Sequence, residues 1–418
     1  MKILWITNIV FPEAVRLINK KTELKSSGGW MLGSAEEMGK DEQIELTVAT
    51  PTPLVNELLY LKGVKISYCL FPMGRGNIKY NKDYEYYWRE IKKSVLPDVV
   101  HIHGTEYTHG LAYVKACGNE KVVVSIQGLV SVIADYYNCG LSSLDIVKSL
   151  TLRDLLKGTL FHEKKEFRRR GRLEVELLQS VDHVIGRTSW DKAHAWAINP
   201  HAHYHFCNET LRPEFYKGET WEYKKCVPYS IFLSQANYPI KGFHQILKAM
   251  PLILRDYPDA MIRIAGQDIF CLRKYKGLIS LQSGYSKYIS KLVECLKLKN
   301  HIVFLGRLNA EEMKQEYLKC NVFVCPSSIE NSPNSIGEAQ ILGVPIVASY
   351  AGGIPDMMKG NEDNLYRFND YEMLAQKVCS IFHSQTNQIN MKQIALNRHD
   401  KKCNRTTLSE IYHSIMSL

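Results

Sequence analysis

The stretch that decides the fold is residues 322–356, VFVCPSSIENSPNSIGEAQILGVPIVASYAGGIPD. It begins with a short apolar run that stops at Pro326, passes through small polar residues, and turns into a helical pattern from Asn334 to Leu342. This order predicts a buried strand, a loop, and a helix whose free backbone N–H groups lie at the carboxyl edge of a sheet. Such an edge is suited to hold phosphate or sugar oxygens.

The same alternation of short apolar runs with polar or amphipathic stretches fills the rest of the chain, as repeated βαβ units require. Strands are predicted at residues 2–7, 44–49, 99–102 and 121–126, and a second set at 229–234, 261–265, 301–305, 322–325 and 345–348. The expected fold class is α/β, with two Rossmann-like, doubly wound parallel sheets.

The length of 418 residues is beyond the size at which one hydrophobic core stops growing, so two domains are expected. Residues 211–227 lack a clean period and carry proline, glycine and charge, as an interdomain linker does. We therefore predict domains at 1–217 and 218–399. Apolar residues recur at helical spacing near the end of the chain, and a helix within 400–418 is expected to pack back on the first domain.

Composition restricts the environment and the partners. Lys and Arg outnumber Asp and Glu by 53 to 43, which favours an anionic partner: a nucleotide diphosphate, an anionic lipid surface or a nucleic acid. Eleven cysteines include no C-x-x-C pair, which argues against a zinc site or a disulfide scaffold and favours a reducing, cytoplasmic location. The apolar run at 2–7 is too short to span a bilayer.

Within the opening stretch, Glu330 and Glu338 are separated by seven residues. Taken alone, two such glutamates are most often solvated charges on a helix surface. Here Glu338 is one turn into the predicted helix, where its carboxylate can accept hydrogen bonds from vicinal hydroxyls such as those of a ribose. Glu330 lies in the loop and is placed nearer the sugar.

This stretch resembles the signature of retaining glycosyltransferases of the GT-B fold, specifically the large fourth family with its Glu-x7-Glu motif. The segments ENSPNSIGEA, GVPIVAS and AGGIPD follow in that family's order and spacing. The resemblance is strongest over residues 229–356 and looser before them. It implies two Rossmann-like domains facing across a cleft, and transfer of a hexose from a nucleotide-diphosphate sugar to a glycan or lipid-linked acceptor with retention of anomeric configuration, as in bacterial polysaccharide biosynthesis.

The resemblance also assigns a diphosphate-binding lysine, Lys241, at the end of IFLSQANYPIKG. An ammonium group offers a point charge that neutralises the charge developing as the nucleotide leaves. The family usually adds an arginine a few residues earlier, and Gln235 stands at that place here. Either another cation supplies the charge, or Lys241 and the helix amides are sufficient.

Two further positions match the family in place but only partly in residue type. Gly28 and Gly29 follow the first strand, where a glycine-rich loop would let the backbone lie close to a diphosphate. Gln127 replaces a histidine that many members place beside the donor sugar. Glutamine cannot act as a general base but can hydrogen-bond a sugar hydroxyl, so we expect a positioning group.

The predicted site therefore has a catalytic centre, a donor surface and an acceptor side. Glu330 and Gln127 are placed at the catalytic centre. The predicted donor contacts are Gly28, Gly29, Gln235, Lys241, Gly266, Arg307, Leu308, Asn331, Ser332, Pro333, Asn334, Ser335 and Glu338. The acceptor-side candidates are His103, Arg187 and Glu209, with a buried core histidine and a packing salt bridge as the alternatives.

No cofactor is expected beyond the nucleotide-diphosphate sugar itself, carrying UDP or GDP. No metal is expected either, because no Asp-x-Asp pair stands at a predicted strand end. The basic segment 162–172, HEKKEFRRRGR, fits peripheral contact with an anionic membrane, and equally a solvated helix face paired with its own glutamates.

Two other functions use the same architecture. A nucleotide-sugar epimerase or isomerase would need no acceptor, and a non-catalytic nucleotide-sugar binder is compatible with glutamine at positions 127 and 235. A nucleic-acid partner is not expected, because the basic segment lacks interleaved stacking aromatics and no recognised binding module is present.

Overall fold

The structure, a computed structural model, describes residues 1–19, 29–74, 79–270, 282–384 and 389–417. The chain divides into two units. The first comprises Met1–Val132, Glu166–Arg212 and Arg398–Leu418, and the second comprises Ile133–Lys165 and Pro213–Asn397. Within the described ranges, every helix is too short or too polar to span a lipid bilayer.

The first unit contains a mixed sheet. Its strands are β1 (Lys2–Ile6), β2 (Glu45–Thr52), β3 (Leu59–Lys62), β4 (Ile66–Pro72), β5 (Val99–His103), β6 (Val122–Ser125), β7 (His183–Gly186) and β8 (His203–Phe206). They lie in the order β3-β4-β2-β1-β5-β6-β7-β8. All neighbours are parallel except β3 and β4, which are joined by only three residues, too few for a parallel crossover. The expected all-parallel sheet is corrected at this edge.

The second unit contains a fully parallel sheet. Its strands are β9 (Ser230–Leu233), β10 (Met261–Ile264), β11 (Ile302–Phe304), β12 (Val322–Cys325), β13 (Ile346–Ser349) and β14 (Leu365–Tyr366). Their order, β11-β10-β9-β12-β13-β14, is the doubly wound order in which the direction of winding reverses between β9 and β12. The prediction of two Rossmann-like α/β domains is confirmed.

Helices alternate with these strands along the chain. They are α1 (Pro12–Ile18), α2 (Gly29–Met38), α3 (Asp83–Val95), α4 (Thr108–Cys117), α5 (Val130–Tyr136), α6 (Ser143–Lys148), α7 (Leu152–Lys157), α8 (Leu160–Gln179), α9 (Ser189–Ile198), α10 (Phe243–Asp256), α11 (Gly284–Cys295), α12 (Ala310–Lys319), α13 (Asn334–Leu342), α14 (Ile354–Met357), α15 (Tyr371–Ser384), α16 (Ile389–Arg398) and α17 (Lys401–Met416). Short 3-10 helices occupy Pro213–Tyr216, Tyr223–Lys225, Pro239–Lys241, Lys299–His301 and Glu362–Asn364.

The last helix, α17, packs into the first unit. Its apolar residues, among them Leu408, Ile411 and Ile415, are buried in the core beneath the sheet. Tyr412 anchors it, because its hydroxyl accepts a hydrogen bond from the Trp5 indole at 2.9 Å and bonds the His101 ring at 2.6 Å. Helix α17 is therefore held by its buried apolar residues and also by the hydrogen bonds of Tyr412, which the sequence pattern did not predict.

The two units are not separated by the single boundary near residue 218 that the sequence predicts, because each unit is built from more than one segment of the chain. Residues 213–227 are packed against the second unit, where Phe215 contacts Tyr317 and the Trp221 indole donates to the Cys320 carbonyl at 2.7 Å. Residues 133–165 also belong to the second unit. The sequence pattern did not assign these segments to the second unit, because they have no regular apolar spacing. Their packing partners lie about a hundred residues away in the chain.

Candidate active site

Two of the predicted stretches end side by side where the winding of the second sheet reverses. β9 and β12 are hydrogen-bonded neighbours, and their following loops carry Lys241 and Glu330 respectively. In doubly wound sheets, ligands bind outside the carboxyl ends of the strands at this reversal point. The sheet order thus brings together residues that are 89 positions apart in the chain.

The loops after β9 and β12 are in direct backbone contact. The Ser328 amide donates to the Ile240 carbonyl at 2.8 Å. Gly242 has a φ of 70°, in the left-handed region, and a Cβ there would overlap the Pro326 carbonyl oxygen. Only glycine meets both requirements without displacing backbone, so the spacing between the two loops is set by Gly242.

Lys241 and Glu330 form the charged centre of this site. The Lys241 Nζ donates to Glu330 Oε1 at 2.5 Å, and the Ser327 hydroxyl donates to the same oxygen at 2.9 Å. Burial lowers the pKa of Lys241, but the Glu330 carboxylate outweighs burial and leaves that pKa above its usual value. Lys241 is therefore a cation at neutral pH, half-buried and held in one position.

The backbone of Glu330 is held from a third loop, the one after β13. The Gly353 amide donates to the Glu330 carbonyl at 2.9 Å, and a Cβ at Gly352 would overlap that same carbonyl oxygen. The Ser349 hydroxyl, at the end of β13, donates to the Ser327 carbonyl. Three adjacent strand ends therefore fix one short loop, as a binding site that must hold its shape requires.

Helix α13 presents its amino terminus beside this loop. It begins after Pro333, which makes no side-chain cap, and the amino terminus of a helix favours a nearby oxyanion. Asn331 is buried, and Ser332, Pro333, Asn334 and Ser335 are partly exposed. The predicted anion-binding turn is thus placed at the carboxyl edge of the sheet, and four of its five residues are partly exposed.

Glu338 is 5% exposed and lies on the buried side of α13. A glutamate on a solvated helix surface would be largely exposed, so this alternative reading of the motif is wrong for Glu338. Glu330 is likewise not in bulk water, because its carboxylate is engaged by Lys241 and Ser327. Neither glutamate is therefore a solvated surface charge, and their roles in donor binding stay predictions.

The neighbouring strands β10 and β11 contribute a second pair of turns at the same edge. Gly266 and Gly306 have φ values of 116° and 76°, and the Gly266 amide donates to the Gly306 carbonyl at 2.8 Å. Arg307 follows and is exposed, while Leu308 and Gln235 are half-buried. The structure places these three predicted donor contacts, Arg307, Leu308 and Gln235, after the carboxyl ends of the strands.

In the first unit, the predicted positions lie at the corresponding edge of its own sheet. Gly29 begins α2, where a Cβ would be 3.2 Å from the Arg212 side chain. Gly28 lies outside the described residues. Gln127 follows β6 and is half-buried. Gly29 and Gln127 thus lie at the sheet edge where a ligand is expected, and the roles of both residues remain predictions.

His103 ends β5, beside β1, where the winding of the first sheet reverses. Its ring stacks on His101 with centroids 3.7 Å apart, and it contacts the Trp5 ring in a tilted arrangement at 4.3 Å. Burial, reinforced by the Arg187 cation, lowers the pKa of His103 to about 3, so its imidazole is neutral at pH 7. Among the described residues neither ring nitrogen has a hydrogen-bond partner.

Arg187 and Glu209 form a buried ion pair within the first unit. The Arg187 Nη1 lies 2.5 Å from Glu209 Oε2, and Arg187 Nη2 donates to the Ile126 carbonyl at 2.8 Å. The Glu209 carbonyl accepts from the His399 ring at 2.7 Å. The geometry thus matches the packing salt bridge held open as the alternative, and an acceptor contact by either residue remains only a prediction.

Replacing Arg187 with methionine is expected to lower the free energy of unfolding by about 3–5 kcal/mol, because it leaves the buried Glu209 carboxylate without its cation. Urea denaturation followed by circular dichroism measures the change. Lys93→Met breaks the exposed Lys93–Glu90 pair and serves as the control, with an expected loss below about 1 kcal/mol. Equal losses in the two variants would contradict a structural role for the buried pair.

Three supporting residues were not predicted as site residues: Ser327, Gly242 and Gly352. Ser327 lay within the recognised loop, but only its hydrogen bond to Glu330 distinguishes it from the adjacent Ser328. The two glycines stand in the motifs Lys-Gly and Ala-Gly-Gly, which are also common turn sequences. Their importance comes from the carbonyl oxygens they face, which lie on other loops.

Comparison with known proteins adds to this geometry. Residues 222–398 match the model of the family described as "Glycosyl transferases group 1". Spore coat protein SA of Bacillus subtilis is 29% identical over 134 residues, covering 32% of this chain and 33% of that protein. The GDP-mannose-dependent monoacylated alpha-(1-6)-phosphatidylinositol monomannoside mannosyltransferase of Corynebacterium glutamicum is 23% identical over 34% of this chain and 35% of that protein.

Among solved structures, HepE from Anabaena in complex with UDP-glucose superposes with a TM-score of 0.65 and 14% identity, covering 99% of this chain and 100% of that one. At this identity the likeness shows the fold. The chain spans about a third of the length of these two curated relatives. Residues 222–398 are therefore similar to group 1 glycosyl transferases, and the chain has the two-domain fold of HepE.

Proposed function

We propose that the protein transfers a hexose from a UDP- or GDP-linked sugar to a glycan or lipid-linked acceptor with retention of anomeric configuration. The observation that carries this proposal is the ion pair between Lys241 and Glu330, fixed next to the amino terminus of α13 at the reversal point of the sheet. A cation and a helix amino terminus at one sheet edge suit a diphosphate that gains charge as it leaves.

Each residue has a distinct part in the proposed reaction. The Lys241 ammonium and the first-turn amides of α13 neutralise the leaving diphosphate, and the Glu338 carboxylate accepts hydrogen bonds from the ribose hydroxyls. Glu330 orients Lys241 and lies nearer the sugar. The acceptor hydroxyl attacks on the face that the nucleotide leaves, and the departing phosphate takes its proton, which gives retention. Gln127 positions a sugar hydroxyl without acting as a base.

We further propose that no metal ion and no separate cofactor take part, and that the protein acts in the cytoplasm at the membrane's inner face. Segment 162–172 lies in α8, and Arg168 and Arg169 are exposed. Arg170 is engaged internally, since its Nη2 donates to the Glu106 carbonyl at 2.9 Å. A basic helix face of this kind adds attraction to anionic lipid, on the order of 1 kcal/mol per charge.

Two measurements test the proposal. A panel of UDP- and GDP-sugars is screened by thermal shift, and the donor is expected to raise the melting temperature, because a ligand that binds only the folded state stabilises it. Proton NMR of the product formed with that donor is then expected to show the anomeric configuration of the donor. An inverted product would overturn the mechanism.

A non-catalytic nucleotide-sugar binder is the second candidate, favoured by the neutral residues Gln127 and Gln235 where cationic or basic groups are usual in the resembling family. It predicts the same thermal shift with no release of nucleotide diphosphate in the presence of any acceptor. Conversion of the nucleotide sugar without an acceptor would instead identify an epimerase.

A further inference from the structure

The segment from α6 to the start of α8 exposes an unusual number of large apolar side chains. In α6, Leu144 and Val147 are three positions apart, and in α7, Leu152, Leu155 and Leu156 follow the i, i+3, i+4 spacing that puts them on one face. These five side chains are 53–73% exposed. Helices of globular proteins normally turn such a stripe toward the core, whereas here both stripes face solvent.

The outward orientation is fixed by what holds the other side of these helices. Ile146 of α6 is buried in the core of the second unit. Asp154 of α7 is buried, caps its own helix and accepts a hydrogen bond from the Gly284 amide at 3.1 Å. Lys287 of α11 donates to the Leu150 carbonyl at 2.7 Å. The helices therefore cannot roll to bury their leucines without losing these contacts.

Exposed cations accompany the apolar stripes, while the acidic groups are already engaged. Lys148, Lys157 and Lys165 are exposed in the same segment. Asp145 and Asp154 cap their own helices, and Glu163 accepts a hydrogen bond from the Tyr137 hydroxyl. The charge that this surface offers to a partner is thus positive.

We propose that this surface docks onto an anionic lipid bilayer. We define the apolar-basic surface as the outward faces of residues 144–165, with Leu144, Val147, Leu152, Leu155, Leu156 and Phe161 as its apolar members. The leucines enter the boundary between headgroups and acyl chains, and the lysine ammonium groups remain at the level of the anionic headgroups. A protein partner would also cover apolar side chains, but the interleaved exposed lysines are complementary to the lipid phosphates.

Helices α6 and α7, whose outward faces form the apolar-basic surface, border the loop that leads to Lys241 with other residues of theirs. A cavity of about 130 Å³ is lined by residues of α6 and α7 and by Asn237, Tyr238 and Pro239. Docking would therefore bring the bilayer near one side of the proposed donor site. An acceptor anchored in that bilayer by its lipid would then lie close to the donor sugar. This consequence rests on the proposed function, whereas docking itself does not.

Sedimentation of the full-length protein with lipid vesicles tests the docking. Binding is expected with vesicles of phosphatidylcholine and phosphatidylglycerol, and much less with phosphatidylcholine alone. The triple variant Leu152→Ser, Leu155→Ser, Leu156→Ser is expected to lower the vesicle partition coefficient more than about tenfold, because three apolar side chains no longer enter the bilayer. Exposed leucines contribute little to the fold, so its melting temperature should match that of the unsubstituted protein.

A matched triple variant, Leu54→Ser, Val64→Ser and Tyr86→Ser, removes equally exposed apolar groups outside the surface and should bind vesicles like the unsubstituted protein. Lys148→Gln with Lys157→Gln should reduce the preference for phosphatidylglycerol, because two of the exposed cations are removed. Equal binding by the two triple variants, or no vesicle binding by the unsubstituted protein, would overturn the proposal. A change of oligomeric state in the leucine variant, seen by light scattering, would also overturn it in favour of a second copy as occupant.

Vesicle binding is measured without donor or acceptor, so it separates this inference from the proposed function. The variant Lys241→Ala should bind vesicles normally, because Lys241 is not part of the apolar-basic surface. If the protein binds vesicles but transfers no sugar, the proposed transferase function is wrong and the docking inference stands. If it transfers sugar to a water-soluble acceptor but does not bind vesicles, the docking inference is wrong and the transferase function stands.

Discussion

Replacing Lys241 with alanine is expected to weaken nucleotide-diphosphate binding and slow sugar transfer by about a hundredfold or more, the usual effect of losing a preorganised group that stabilises developing charge. The substitution removes the ammonium and leaves the Glu330 carboxylate, which among the described residues keeps its hydrogen bond from the Ser327 hydroxyl and now faces the diphosphate. Loss of attraction and gain of repulsion therefore act together. Titration calorimetry with UDP or GDP and initial transfer rates measure the two effects.

Two variants show whether the effect belongs to this particular charge. Lys241→Arg keeps the cation and is expected to retain more binding than Lys241→Ala, although the guanidinium is larger and planar. Lys248→Ala removes a half-buried lysine from the neighbouring helix α10 and should leave binding close to that of the unsubstituted protein. If Lys241→Ala bound the nucleotide as tightly as Lys248→Ala, the proposed donor site would be in the wrong place.

The variant Gly242→Ala is expected to destabilise the second unit by more than about 4 kcal/mol, because its cost combines backbone strain with a severe overlap. A Cβ at this position would overlap the carbonyl oxygen of Pro326, which belongs to the backbone and is held by the end of β12. The overlap is relieved only if the loops after β9 and β12 separate. Donor binding should be lost together with stability, since those loops carry Lys241 and Glu330.

Gly343 supplies the matched control for this substitution. It also lies in the left-handed region, with a φ of 81°, but nothing stands within 4 Å of a Cβ built there. Gly343→Ala should therefore incur only the backbone strain, about 1–2 kcal/mol. Urea denaturation of the two variants isolates the cost of the overlap. Similar losses would mean that the two loops yield easily and do not set the geometry of the site.

Much of the fold was predictable because its signals are local. The observed strands β9 and β12, and helix α13 from Asn334 to Leu342, lie within a residue or so of their predicted bounds. A buried parallel strand has to be a short, nearly continuous apolar run, and a helix beginning at a small polar loop is marked by its own composition. The hairpin of β3 and β4 was missed, and its outer strand β3 gives a weak signal because it has only four residues, two of them exposed.

The site was predictable to a lesser degree. The loop around Glu330 and the lysine at 241 were found because the family resemblance covers both. The ion pair between them, the supporting Ser327 hydroxyl and the carbonyl oxygens facing Gly242 and Gly352 were not found, since each contact joins residues on different strand ends. Arg187 and Glu209 illustrate the converse, because both fitted an acceptor site in sequence, yet they neutralise each other in the core.

The sequence by itself was sufficient to place many of the strands, because alternation of apolar and polar residues acts over a few neighbours. It also indicated the glycosyltransferase resemblance in the second half of the chain, where residues 222–398 match the group 1 family model. Only the tertiary structure decided that residues 133–165 join the second unit, that Lys241 meets Glu330, and that the leucines of α7 face outward. These outcomes depend on which strands become neighbours and which faces are already covered, and such choices are made by contacts between residues far apart in the chain.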